Sequence, residues 1–145
     1  LKNNMKYKKK FLYVENISTE KLATKYSTPL YCYSYLKLKN NILTFKNYFN
    51  KVNPLICFSV KSNSNIKILK EINKLNCGAD VVSKGEMIKA LKAGIAPKKI
   101  VFSGVGKTYS ELEYAIKKNI LLINVESKSE LLVIEKLAKY NKKKN

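Results

Sequence analysis

From Leu55 onward, short apolar runs alternate with longer stretches whose apolar residues recur every three or four positions. Leu55–Val60 (LICFSV) is a run of strand length, and Ile68, Leu69, Ile72 and Leu75 follow it at helical spacing. Gly78 stands where a helix C-terminus is expected. Ala79–Val82 is the next apolar run, and Met87, Ala90 and Leu91 mark a helix that Gly94 ends. Ile100–Phe102 is the third strand, with Leu112, Ala115 and Ile116 on the helix after it. Leu121–Val125 is the fourth, followed by Leu131, Ile134, Leu137 and Ala138.

The junctions repeat as regularly as the elements. Ser83 precedes Glu86, Thr108 precedes Glu111, and Ser127 precedes Glu130, each by three residues. Each pair predicts a capping box, in which hydroxyl and carboxylate satisfy free N–H groups at a helix start. Strands without polar alternation are buried on both faces, which implies a parallel sheet covered by helices. The class is therefore α/β, and right-handed crossovers leave a doubly wound sheet or a (β/α)8 barrel. The front of the chain alternates less cleanly. Lys8–Val14 reads as a strand, Ser18–Tyr26 as a short helix and Thr28–Tyr33 as another strand. Ser34 caps a longer helix carrying Leu36, Ile42, Leu43, Phe45, Tyr48 and Phe49, and Pro54 ends the connection.

The stretch VFSGVGKT, Val101–Thr108, ends like a phosphate-binding P-loop. That motif needs a glycine five positions before Gly106, where Val101 stands. The stretch reads instead as strand, then a loop over Ser103–Lys107, then Thr108 capping the next helix. Its small residues suit a tight turn or the close approach of a ligand, and such loops carry the chemistry of α/β folds.

Composition narrows the function classes. The chain has 145 residues, 46% of them hydrophobic and 27% charged, which suits a globular fold. Its formal net charge is +19, yet every basic residue is a lysine and none is an arginine. Arginine is the preferred fork for phosphates and guanine edges. The lysines are also scattered, so solvated faces explain them better than a nucleic-acid surface. Cys32, Cys57 and Cys77 lie far apart without CxxC spacing, which points away from a metal site and toward buried thiols in a reducing cytoplasm. Phe11–Val14 is too short an apolar run for a signal peptide or membrane span. A start at Leu1 and an end after an unfinished helical pattern suggest a piece of a longer protein.

Lys61 directly follows the first apolar run, where a buried strand opens onto the loop face. A lysine partly desolvated there can attack carbonyls, and the alternative is a solvated rim lysine. Asp80 is the sole aspartate and lies inside the next strand, where its carboxylate needs a partner such as Lys61. Glu86 is a third candidate, which the capping box also explains.

TPLYCYS, CFSVKSNSN, GADVVSKGE, GIAPKKIVFSGVGKT and INVESKSEL occur in that order along the chain. In sequence and spacing they resemble the amino-terminal part of diaminopimelate decarboxylases. These are fold-type III pyridoxal-phosphate enzymes related to ornithine decarboxylase and alanine racemase. VKSNSN and GADVVSKGE mark the wider family, and FSGVGKT is more typical of the diaminopimelate enzymes. The resemblance implies a partial (β/α)8 barrel of about four βα units over residues 34–145. Residues 1–33 would contribute to a second, β-rich domain. It implies that Lys61 is the catalytic lysine bound to pyridoxal 5'-phosphate, with Asp80 and Glu86 as the acidic residues near it and Asp80 also touching the cofactor. It further implies decarboxylation of meso-diaminopimelate to L-lysine by a cytoplasmic homodimer, with no metal, membrane or nucleic acid involved. Related decarboxylases of ornithine or arginine type share Lys61 and Asp80, and a non-enzymatic pyridoxal-phosphate-binding barrel would keep the lysine. In the family, the phosphate site, the partner of the pyridine nitrogen, a ring-stacking histidine and the substrate arginines lie on later strands. This chain has no His and no Arg, so the fragment alone is expected to be inactive.

Overall fold

The computed structural model describes residues 4–141. They divide between Pro54 and Leu55 into two compact units.

In the first unit, strands β1 (Met5–Lys8), β2 (Phe11–Val14) and β3 (Ile17–Ser18) pair antiparallel in that order. The expected single strand over Lys8–Val14 is thus part of a hairpin, with Met5 opposite Val14 and Lys8 opposite Phe11. The turn falls in the lysine run, where Lys9 takes a left-handed φ of 55°, and doubling the chain back lets its backbone groups pair. Ser18 caps helix α1 (Thr19–Tyr26), its hydroxyl accepting from the Lys21 amide. The strand expected at Thr28–Tyr33 does not form. That segment, which begins with a cis Thr28–Pro29 bond, has no ladder partner among the described residues, and Tyr31 and Tyr33 project into solvent. Ser34 caps helix α2 (Tyr35–Tyr48) as expected. A second cap comes from Glu15, whose Oε1 accepts from the Ser34 hydroxyl at 2.7 Å and the Leu36 amide at 2.9 Å.

In the second unit, four strands run parallel: β4 (Cys57–Ser59), β5 (Gly78–Val81), β6 (Ile100–Phe102) and β7 (Leu122–Ile123). Helices α3 (Ile66–Lys74), α4 (Lys84–Lys92), α5 (Tyr109–Lys118) and α6 (Lys128–Tyr140) alternate with them. Strand order follows chain order without a reversal, and each helix packs beside the next one along the chain. A doubly wound sheet reverses its order at a switch point. Uninterrupted order is that of a (β/α) barrel wall. The core lies between sheet and helices, with Val60, Leu69, Met87, Ile100 and Phe102 fully buried. Leu112, Ile116, Ile134 and Leu137 seal α5 against α6.

Strands β4 and β7 are shorter than their apolar runs, because pairing with a neighbour and not hydrophobicity ends a ladder. Gly94 does end α4, at a φ of 89°. Gly78 does not end α3: the left-handed residue there is Asn76, and Gly78 opens β5. Its glycine serves a close approach instead, since a Cβ would overlap the Lys99 carbonyl and come within 2.9 Å of the Cys57 sulfur.

Candidate active site

Parallel strands end on one edge, so the loops after β4, β5, β6 and β7 gather at a common mouth. Lys61 lies on the 3-10 turn Val60–Ser62 that continues β4. Val60 is the buried anchor of that turn and Lys61 is exposed. Among the described residues the Lys61 side chain makes no hydrogen bond or ion pair.

Asp80 lies in the middle of the sheet, opposite Ser59 on β4 and Val101 on β6. Its Oδ1 is buried and has no hydrogen-bond partner. A bare carboxylate oxygen in such a place carries a desolvation cost. The expected pairing with Lys61 is not made, because the 3-10 turn carries the lysine two residues past the register partner of Asp80 and out into solvent. Burial pushes the Cys57 thiol up from its ordinary value, and Asp80 and then Cys77 add to the shift.

The three expected capping boxes share the hydroxyl half and differ in the carboxylate half. Ser83, Thr108 and Ser127 each accept from the amide three residues on. Only Glu111 closes its box, with Oε2 accepting from the Thr108 amide at 3.0 Å. Its Oε1 also accepts from the Lys84 amide at 3.0 Å, so one carboxylate caps both α5 and α4. These amide hydrogen bonds, Lys84 first and Thr108 second, hold its carboxyl below the usual range. Glu86 reaches one residue beyond its box, and its Oε2 accepts from the Val82 amide at 2.9 Å. Glu130 turns away altogether and pairs with Lys107 at 2.9 Å.

The VFSGVGKT loop follows β6 as expected, and its glycines have separate uses. Gly104 lies against the Val82 backbone, where a Cβ would come within 2.5 Å of the Val82 carbonyl oxygen. Gly106 takes a φ of 63° with open space around it. The Lys107–Glu130 pair was not legible in the sequence, where Lys107 looked like a loop lysine and Glu130 like a capping residue. Their separation of 23 residues, about one βα repeat, was the available signal.

A lysine amine without a partner thus lies on the turn after β4, and a buried carboxylate oxygen without one lies within the neighbouring strand β5. This donor set fits a group that offers a carbonyl to the amine and a cationic or protonated atom to the carboxylate. Four βα units in chain order with such a mouth are the front of a barrel built to hold a carbonyl-bearing cofactor. The chain belongs to the pyridoxal-dependent decarboxylases: residues 36–143 match the family described as "Pyridoxal-dependent decarboxylase, pyridoxal binding domain".

Diaminopimelate decarboxylase from Helicobacter pylori (strain J99) is 51% identical over 119 residues, which are 82% of this chain and 29% of that protein. The crystal structure of the Helicobacter pylori enzyme complexed with L-lysine superposes with a TM-score of 0.82 at 48% identity, covering 86% of this chain and 32% of that one. Ornithine decarboxylase from Entamoeba histolytica is more distant, with a TM-score of 0.59 at 28% identity over 69% of this chain and 32% of that one. The chain therefore spans about a third or less of the length of these relatives. Among the described residues, no helix is long and apolar enough to cross a membrane.

Proposed function

We propose that the full-length protein decarboxylates meso-diaminopimelate to L-lysine and that this chain carries the cofactor-anchoring part of the site. The observation that carries the reading is an unpartnered Lys61 amine just past the end of β4 and an orphaned Asp80 oxygen on the adjacent strand β5, within a pyridoxal-binding domain. The similarity to a diaminopimelate decarboxylase crystallised with L-lysine supports the choice of substrate over ornithine or arginine. Pyridoxal phosphate, when bound, supplies an electron sink for the pair left behind as the carboxylate departs. Lys61 would hold it through its amine, and the same amine could hold or deliver a proton at the reacting centre. Asp80 sets a negative charge beside this centre. Glu86, tied to the Val82 amide, holds the end of β5 in place. Any contact to phosphate or substrate made by a histidine or an arginine comes from the rest of the protein, since this chain contains neither. Residues 1–33 contribute to a β-rich domain and residues 34–145 form the first part of the barrel. The working unit is a cytoplasmic homodimer.

The test is to purify the full-length protein with pyridoxal phosphate and measure carbon dioxide release and L-lysine from meso-diaminopimelate. Borohydride reduction and peptide mapping should then find the pyridoxyl group on Lys61. A label on another lysine would overturn the assignment.

A further inference from the structure

The lysine of VFSGVGKT is withdrawn from solvent. Its side chain is 1% exposed and that of Glu130 is 9% exposed. The Lys107 Nζ donates to Glu130 Oε1 at 2.9 Å and to the Asn124 carbonyl at 2.7 Å, and it lies 5.5 Å from the centre of the Phe102 ring. Taking an ammonium out of water is costly unless such partners converge on it. Asn124 is held at its other end too, its Nδ2 donating to the Ser103 hydroxyl at 2.9 Å. The Ser103 amide in turn donates to the Val81 carbonyl at 2.9 Å, and Gly104 rests on the Val82 backbone. A continuous path therefore runs from Glu130 and Lys107 through Asn124 and Ser103 to Val81, the residue next to Asp80. It spans the loops after β7, β6 and β5.

We propose that Lys107 is a positioning residue of the active-site mouth: it locks the loops after β6 and β7 into one rigid rim that fixes the end of β5 beside Asp80. On the surface, a lysine in a Gly-Lys-Thr sequence invites a phosphate. Here the ammonium is already engaged by a carboxylate and a carbonyl, so its work is internal. The inference rests on the decarboxylase reading only for the reaction the rim supports, and the geometry of the rim stands independently of it.

The experiment uses the full-length protein. Lys107→Met alone strands Glu130 without its partner, so Lys107→Met/Glu130→Gln is made to keep the charge balanced. Ser103→Ala breaks the same path at a neutral hydroxyl and leaves the buried pair intact. Four quantities are read: kcat and KM with meso-diaminopimelate, amide hydrogen exchange over Val81–Thr108 in the apoprotein, and the thermal midpoint. In the double variant, kcat should fall about 10- to 100-fold, the scale of a small misplacement of reacting groups, with KM much less affected. The Ser103 amide, bonded to the Val81 carbonyl, should exchange faster. Ser103→Ala should move kcat and exchange in the same direction by less. Wild-type kcat and exchange in Ser103→Ala overturn the proposal, whether or not the double variant folds. So does a double variant that loses only thermal stability. A wild-type protein without turnover on meso-diaminopimelate sinks the decarboxylase reading instead, and the exchange arm still decides the role of Lys107.

Discussion

The two units of the chain use the same local devices and reach opposite degrees of burial. Helices α1 and α2 are capped by Ser18 and Ser34, just as α4, α5 and α6 are capped by Ser83, Thr108 and Ser127. Yet α1 and α2 bury no residue, while each of the α-helices α3 to α6 does. In the first unit Leu36, Leu43, Phe45 and Phe49 stand exposed, although Phe45 and Phe49 stack on each other. A βα unit is self-covering, because its helix folds back on the strand just before it and beside the next helix. A helix following a small antiparallel sheet has no such guarantee. Caps decide where a helix begins, and packing partners decide whether its apolar stripe becomes a core.

If the chemistry belongs to the second unit, the largest effect should come from Lys61. In the full-length protein, Lys61→Ala should abolish both covalent attachment of the cofactor and turnover while leaving the thermal midpoint near wild type. Ser34→Ala, a cap lost from the first unit, should do the reverse. Asp80→Asn comes next and should lower kcat more than Glu86→Gln does, because Asp80 has an orphaned oxygen while Glu86 already holds the Val82 amide. Equal losses in the two variants would contradict a separate role for Asp80.

Stability tests the comparison more directly. In the full-length protein, Leu69→Ala should cost about 2–5 kcal/mol by urea unfolding, as for a fully buried leucine. Leu43→Ala, at a site 39% exposed, should change stability by about 0.5 kcal/mol or less. If Leu43→Ala approaches the Leu69 cost in the full-length protein, the rest of the protein covers α2. If it stays small there, that face is a true surface.

The cap effects are smaller. Ser83→Ala should cost about 0.5–2 kcal/mol. Glu111→Gln should chiefly alter the acid limb of stability. The folded carboxyl sits below its unfolded value, so its stabilisation is complete above that value and fades as pH falls through the folded one. Unfolding curves taken from pH 6 down to about pH 3 should therefore be flatter for Glu111→Gln than for wild type. Identical slopes would mean that the double cap on α4 and α5 is energetically silent.

The sequence by itself determined what depends on neighbours within about four residues. The helix starts at Ser18, Ser34, Ser83, Thr108 and Ser127, the stop at Gly94 and the alternation of strand and helix in the second unit are all of this kind. Lys61, Asp80 and Glu86 could be singled out for a similar reason, since a strand end, a charge within an apolar run and a cap position are all local features. What the tertiary structure decided depends on strand register and on partners a βα repeat or more away. Register brought the Lys99 carbonyl onto Gly78 and so turned a supposed helix stop into a close contact. It carried Lys61 past Asp80 and left an oxygen bare where an ion pair was expected. Thr28–Tyr33 had the pattern of a strand but no partner to pair with. Glu130 met both the local rule for a capping box and a buried lysine 23 residues earlier, and it took the lysine. With both side chains withdrawn from solvent, a charged partner outweighs a backbone amide that water can also satisfy.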